Sequence, residues 1–320
     1  MSAIIELKEV SKRFGRRIAV DQVGFTVESG EIFGLVGPNG AGKTTTMRML
    51  VTLLAPDKGE IYVGGHSVQK KPRDARRLLG YMPDAFGVYG EMTVQEYLDF
   101  FGACYRIDPA QRASLINDLL ELVEIGHRRH DMVDTLSTGL KQRLGLARVL
   151  IHDPAVLVLD EPASGLDPRA RVEIRQLLLE IARLGKTILF SSHILADVAE
   201  LCTRVAIMES GKLVALGTLD QLHERLVPHR LLRISLLNHF SLDEAQALLA
   251  AQPGITNVRP QEGLGRADWL TLEAEFTGDD QVMHQLLAAL LKNGLPIIQF
   301  SEDAQNLEEV FMRATQGIVS

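Results

Sequence analysis

Cysteine is scarce in this chain. Its two cysteines, Cys104 and Cys202, lie far apart and fall in no metal-binding or redox spacing. They read as reduced thiols rather than as a disulfide or a zinc site. Long apolar runs are missing too. No uncharged apolar stretch of about 18 residues occurs, so no membrane-spanning helix is expected. The first residues carry no apolar signal core, so export by the usual signal is not expected either. Attachment to a membrane would need a partner. Positive charge is not in excess: 34 Lys and Arg stand against 41 Asp and Glu, a net charge of −7. That balance argues against bulk nucleic-acid binding through a basic face, and no nucleic acid is expected among the partners.

What is present suits a soluble globular protein. The chain is 46% apolar and 23% charged, enough for a sizeable core. Its 320 residues imply roughly two domains.

The most informative stretch is Gly37-Pro38-Asn39-Gly40-Ala41-Gly42-Lys43-Thr44. It satisfies the phosphate-binding pattern G-x-x-x-x-G-K-[ST]. Residues 31–36 before it are apolar and short, a buried strand, and residues 45–50 after it favour helix. Glycines let the backbone curl so that successive N–H groups face one anion. The helix N-terminus adds partial positive charge at the same spot. In such a loop Lys43 reaches the β- and γ-phosphates and the Thr44 hydroxyl ligates Mg²⁺. A chance Gly-rich turn with a stray lysine would not come with both flanks.

Residues 4–10 and 23–27 alternate apolar and polar, as half-buried strands of an antiparallel sheet do. Between them Phe14 could stack on adenine or fill a core; its position alone does not decide. Residues 61–66 read as strand and turn, and 78–84 as strand then loop. Thr93 caps a helix through Phe100. Asp108-Pro109 opens a second helix ending near Gly126. Ser137 caps a third, which Pro154 stops. This helical stretch, about 93–152, interrupts an α/β pattern and is expected to be an inserted subdomain.

Residues 155–159 are continuously apolar, a strand buried on both faces of a parallel sheet. It delivers Asp160 and Glu161 to the carboxyl end, where such sheets bind ligands. Asp167-Pro168 caps another helix, and strand 187–190 brings Ser191-Ser192-His193 to the same edge. A lone histidine is usually structural, and its strand-end position weakens that expectation without reversing it. Residues 204–215 form a hairpin across Ser210-Gly211. After Pro228 the pattern changes to βαββαβ, the order of a ferredoxin-like split unit, with a last helix over 306–314. No catalytic constellation is visible there, so 228–320 is expected to be a regulatory or assembly domain and 1–227 the nucleotide-binding domain.

Five elements now stand in order: GPNGAGKT at 37–44, LSTGL at 136–140, VLVLDEP at 156–162, SGLD at 164–167, and His193. Together they resemble an ATP-binding-cassette (ABC) ATPase over about residues 4–220. The separate cassettes of type-two drug, antibiotic or polysaccharide exporters are the most similar branch, and the tail 306–311 resembles their C-terminal domain. The resemblance implies an α/β fold: a P-loop NTPase core with an antiparallel β subdomain and an inserted α-helical subdomain. It implies ATP and Mg²⁺ as ligands. Phe14 then stacks on adenine, and the P-loop backbone with Lys43 and Thr44 holds phosphates and Mg²⁺. Thr45 lies near the α-phosphate. Asp160 holds Mg²⁺, Glu161 polarises the attacking water, and His193 contacts the γ-phosphate. Ser137 and Gly139 complete the ATP site of an opposing subunit, whose phosphate they meet with a helix N-terminus. The implied partners are a second ATPase subunit, identical or not, and a membrane-spanning permease. The implied place is the cytoplasmic face of the membrane.

Two departures stand out. The signature usually has Gly where Thr138 stands and Gln where Leu140 stands, but the phosphate-facing Ser137 and Gly139 are kept. After Tyr-x-Pro the family normally places Gln, or Glu in some exporters; here it is Asp84, one methylene shorter than Glu, so a water could stand between it and Mg²⁺. A transport motor is thus weighed against a non-transport cassette and a nucleotide-gated binding module. The usual DNA-repair cassettes carry long coiled coils or zinc cysteines, and translation factors carry two cassettes; neither is seen. Glu161 and His193 both being present speaks against a module without turnover.

Overall fold

Alternation near the N-terminus becomes two long paired strands. The computed structural model describes residues 3–84, 87, 90–226, 230–237, 241–261 and 269–302. In it β1 (Ala3–Phe14) and β2 (Arg17–Glu28) pair antiparallel, each 12 residues long. The chain continues through β3 (Ile32–Val36), α1 (Lys43–Leu50), β4 (Lys58–Val63) and the short β5 (His66–Ser67). Strands β2, β1, β4 and β5 form an antiparallel sheet in that order. Its inward residues, Ile5, Leu7, Val23, Phe25, Val27, Ile61 and Val63, are buried.

Helix α2 (Pro72–Leu78) follows, then β6 (Leu79–Met82). The helical stretch comprises α3 (Val94–Cys104), α4 (Pro109–Leu122), two 3₁₀ turns at Gly126–Arg128 and Val133–Thr135, and α5 (Thr138–Leu150). Helix α4 ends short of Gly126, turned by a left-handed Glu124. The start of α3 is a capping box. Thr93 Oγ1 accepts from the Glu96 N–H at 3.3 Å, and the Thr93 N–H donates to Glu96 Oε2 at 2.8 Å. Thr93→Ala removes half of that box, which is expected to cost about 1 kcal/mol. In a unit of about 220 residues, the size of the one that holds α3, that lowers the Tm by about 2–4 °C. Calorimetry checks it, with nucleotide affinity unchanged.

The central sheet is completed by β7 (Val156–Leu159), α6 (Pro168–Arg183), β8 (Thr187–Ser192), α7 (Leu195–Leu201), β9 (Arg204–Glu209) and β10 (Lys212–Gly217). Its order is β10-β9-β3-β8-β7-β6. Strands β9, β3, β8, β7 and β6 run parallel, and only β10 turns back. Strands β3, β7 and β8 are buried at every position, as sandwiched parallel strands should be. The β9–β10 turn holds Ser210 and Gly211 both at positive φ, the pattern of a type I′ hairpin.

By internal contacts the chain divides into two units: the first runs to Leu219, and the second begins at Asp220. Helix α8 (Leu219–Leu226) spans that division. The second unit holds β11 (Arg230–Leu237), α9 (Leu242–Ala250), β12 (Ile255–Pro260), β13 (Trp269–Phe276), α10 (Asp280–Lys292) and β14 (Ile297–Glu302). Its strands form an antiparallel sheet ordered β12-β13-β11-β14. Leu232, Ile234, Leu236, Leu272, Ala274 and Phe276 bury one face of it against Ala245, Leu249, Leu286 and Leu290 of the two helices. The helix expected over 306–314 lies outside the described residues.

Candidate active site

The P-loop joins β3 to α1 as its pattern requires. Its backbone is fixed from two sides. The Gly211 N–H donates to the Ala41 carbonyl at 3.0 Å, so the β9–β10 turn straps the loop down. Gly42 sits at φ 104°, and a Cβ there would lie 2.6 Å from the Ala19 carbonyl oxygen of β2. Only glycine fits that approach. Thr46 Oγ1 closes the first turn of α1 by donating to the Gly42 carbonyl at 2.9 Å.

Lys43 is 6% exposed. Its ammonium donates to the Gly37 carbonyl at 2.7 Å and the Pro38 carbonyl at 3.3 Å, and lies 3.3 Å from Glu161 Oε1. The other Glu161 oxygen lies 2.7 Å from His193 Nδ1. The carboxylate is thus held between two groups that a phosphate could also engage. Glu161 itself has φ 52°, a left-handed conformation costing an L-residue roughly 1–2 kcal/mol.

Asp160 is 1% exposed at the carboxyl end of β7. Its N–H donates to the Met82 carbonyl at 2.8 Å, tying it to the end of β6. Its Oδ1 accepts from Thr44 Oγ1 at 3.2 Å and from Ser191 Oγ at 2.7 Å. Among the described residues no three His, Cys, Asp or Glu side chains converge as a metal cage.

Lys43, Thr44 and Glu161 open on one cleft of about 460 Å³, lined also by Phe14, Pro38, Asn39, Gly40, Ala41, Gly42, Thr45 and Asp84. Gly37, Asp160 and His193 are not in its lining; Asp160 stands behind Thr44 and His193 behind Glu161, each through a side-chain contact. Phe14 is 52% exposed at the end of β1, with the Lys12 ammonium 5.9 Å from its ring centroid. Asp84 reaches solvent at the cleft mouth. Partial desolvation there, then the negative charges of Asp160 and Glu161, push its carboxyl above the usual range, with His193 opposing. Two lining residues escaped the sequence reading. The Arg17 guanidinium lies beside Gly40 at the loop tip, and Ala19 backs the loop. Neither carries a motif signal; strand pairing brings them in. Ser137 and Gly139 are not in this cleft. They line a separate hollow of about 380 Å³ with Gly165, Leu166 and Asp167, at the N-terminus of α5. Ser137 caps that helix, its Oγ accepting from the Leu140 N–H at 3.4 Å.

Comparison with known proteins decides the family. Residues 20–164 match the ABC transporter family, and residues 217–315 match the C-terminal domain of DrrA1-3-like ATP-binding proteins. The Nod factor export ATP-binding protein I of Rhizobium meliloti is 36% identical over 314 residues, covering 98% of this chain and 88% of that protein. The chain belongs to the ABC transporter ATPases. The linearmycin resistance ATP-binding protein LnrL of Bacillus subtilis (strain 168) is 29% identical and covers 98% of each chain. A solved ATP-binding subunit of an ABC transporter superposes with a TM-score of 0.63 at 30% identity, over 69% of this chain and 92% of its own. The protein is therefore an ATP-binding, ATP-hydrolysing ABC subunit on a P-loop α/β fold. Among its described residues no helix of the ATPase is long and apolar enough to cross a membrane.

Proposed function

We propose that this ATPase energises export through a separate membrane-spanning permease, docked on the cytoplasmic face of the membrane. The observation that carries this reading is similarity over 98% of the chain to an ATP-binding protein named for export and to one named for antibiotic resistance, together with a C-terminal unit of the DrrA type. One of these relatives is named for Nod factor export and the other for linearmycin resistance.

ATP lies along the P-loop cleft with adenine on Phe14 and its phosphates on residues 37–45. Lys43 leaves the carbonyls and Glu161 to meet the β/γ oxygens, a charge-assisted exchange that the phosphates drive. Glu161 then holds and polarises the attacking water, and His193 turns to the γ-phosphate. Thr44 and Asp160 fit Mg²⁺: they are hard oxygen donors already within hydrogen-bond distance of each other. Mg²⁺ needs one or two protein ligands beside phosphate and water. When bound it neutralises charge on the β/γ oxygens. Asp84 lines the same cleft and would help hold the ion, directly or through a water. Ser137 and Gly139 line a hollow separate from the cleft of their own subunit; they complete the cleft of a second ATPase subunit, so two ATP molecules are sandwiched head to tail.

The antiparallel sheet and the helical stretch are the β and α subdomains of a cassette covering 1–227. The βαββαβ unit over 228–320 is a ferredoxin-like regulatory or assembly domain. Its strand order, with both helices on one face, supports that assignment.

The coupling side of the reading is tested at Asp84. A tagged chain is expected to bring down a polytopic membrane protein from detergent extracts, and that partner is expected to raise its ATPase rate. Asp84→Ala should leave ATP affinity within about twofold, since Lys43 and the P-loop backbone supply most of it. It should lower partner-stimulated turnover and export more than basal turnover. Asp84→Glu should be tolerated. Asp84→Asn, which still caps a turn, should behave like Ala rather than wild type. Unchanged stimulation in Asp84→Ala would sink the coupling role, and the lack of any membrane partner would sink the transport reading.

A further inference from the structure

Ser191 is fully buried near the end of β8, among apolar strand residues. The last β7–β8 pair is Leu159↔Phe190, so Ser191 lies level with Asp160 one step beyond it. Its hydroxyl makes two bonds. It donates to Asp160 Oδ1 at 2.7 Å and accepts from the Glu161 N–H at 2.9 Å. The same Asp160 oxygen takes the Thr44 hydroxyl at 3.2 Å. One hydroxyl therefore joins the two acidic residues of the site, and it does so at a left-handed residue, Glu161 at φ 52°. From that backbone the Glu161 carboxylate reaches both Lys43 and His193.

We propose that Ser191 is a positioning residue for ATP hydrolysis. Its hydroxyl holds the left-handed backbone at Glu161 and fixes the Asp160 carboxylate beside it. This rests on the reading of Glu161 as the group that polarises water. The physical need is plain. A left-handed L-residue persists where its surroundings over-determine it. Without an acceptor for its N–H, the Glu161 turn relaxes toward ordinary φ and carries the carboxylate with it. A shift of about 1 Å in a reacting group can cost roughly a hundredfold in rate. If the hydroxyl instead only satisfies a buried strand end, its loss would weaken the fold and leave chemistry alone.

The test uses the full-length protein. Ser191→Ala is expected to lower kcat about 10- to 100-fold, the range for groups that orient carboxylates around a metal site. Affinity for a fluorescent ATP analogue, measured in EDTA, should change by less than about threefold, because the P-loop is untouched. Ser191→Thr, which keeps the hydroxyl, should recover most of the rate. Amide hydrogen exchange at Glu161 should speed up in Ser191→Ala and return toward wild type in Ser191→Thr. In a Glu161→Gln background Ser191→Ala should cost little further, because the two act as one unit. Wild-type kcat in folded Ser191→Ala, or an equal loss in both backgrounds, would overturn the proposal. If Ser191→Ala does not fold, Ser191→Cys takes its place: its thiol is a weak hydrogen-bonder of similar shape, and a smaller fall in kcat with the same exchange signature is expected. Normal turnover in Glu161→Gln itself would instead remove the underlying reading of that residue.

Discussion

Replacing Lys43 by alanine is expected to abolish measurable ATP binding and turnover. Lys43 supplies a fixed positive charge at the head of the P-loop, with its ammonium inside the cleft at 6% exposure. Hydrogen bonds to charged groups contribute about 1.5–3 kcal/mol each. Two such bonds to the β/γ oxygens are worth roughly 4 kcal/mol, or about a thousandfold in affinity. The apo protein should suffer far less. Glu161 keeps His193 at 2.7 Å after Lys43 is gone, so its carboxylate is not left without a partner. The expected signature is thus specific. The Tm without nucleotide stays within a few degrees of wild type, while the upward shift produced by Mg-ATP disappears, because ligand stabilisation scales with occupancy. Thermal unfolding with and without Mg-ATP checks this. A normal nucleotide shift in Lys43→Ala would remove the P-loop lysine from the mechanism.

Much of this cleft could be read from the chain because its parts are local. The P-loop needs glycines at a fixed spacing, and the structure shows why at Gly42, where the Ala19 carbonyl leaves no room for a side chain. The acidic pair follows a run of apolar residues, and burial of β7 at every position is what such a run dictates. The caps at Thr93, Asp108, Ser137 and Asp167 were legible for the same reason: each side chain answers a backbone N–H two or three residues away.

What escaped the sequence depends on distant partners or on short elements with little pattern. Helix α2 fully buries only Ala75, and four of its seven residues are charged, so no apolar stripe announces it, although Pro72 stands at its start. Helix α7 has seven residues, too few to show a period. Strands β1 and β2 run several residues past their alternating cores. Register shifts after Leu7 and Val10 break the alternation while the backbone pairing carries on. Ser191 looked like a strand end; its importance comes from Asp160 and Glu161, some thirty residues earlier. Spacing was equally silent on where Ser137 and Gly139 would lie. In the fold they line a different hollow from the P-loop, which is the arrangement a two-subunit site requires and a one-subunit site does not.

Glu161→Gln separates binding from chemistry. The amide nearly matches the carboxylate in shape, so the left-handed backbone and its bond to Ser191 should persist. Gln can still hydrogen-bond a water but cannot accept its proton. Losing a positioned base typically costs 10²–10⁴ in rate, so turnover should fall by roughly that factor. ATP affinity should not fall, and the direction of the change follows from the geometry. In the wild type the Lys43 ammonium is shared with Glu161 Oε1 at 3.3 Å, and that carboxylate also repels an incoming γ-phosphate. Removing its charge frees Lys43 for the nucleotide and ends the repulsion, so ATP should bind at least as tightly. On the proposed two-subunit site, bound and unhydrolysed ATP would keep the Ser137 helix N-terminus of one subunit engaged on the phosphate of the other. The variant should therefore accumulate as an ATP-filled dimer. Size-exclusion chromatography with and without Mg-ATP, alongside a single-turnover hydrolysis assay, reads both effects. Where the native partner is a different ATPase, it must be present. Turnover within about tenfold of wild type would exclude Glu161 as the base. A folded variant that stays monomeric at saturating Mg-ATP, with that partner supplied, would count against the sandwiched pair.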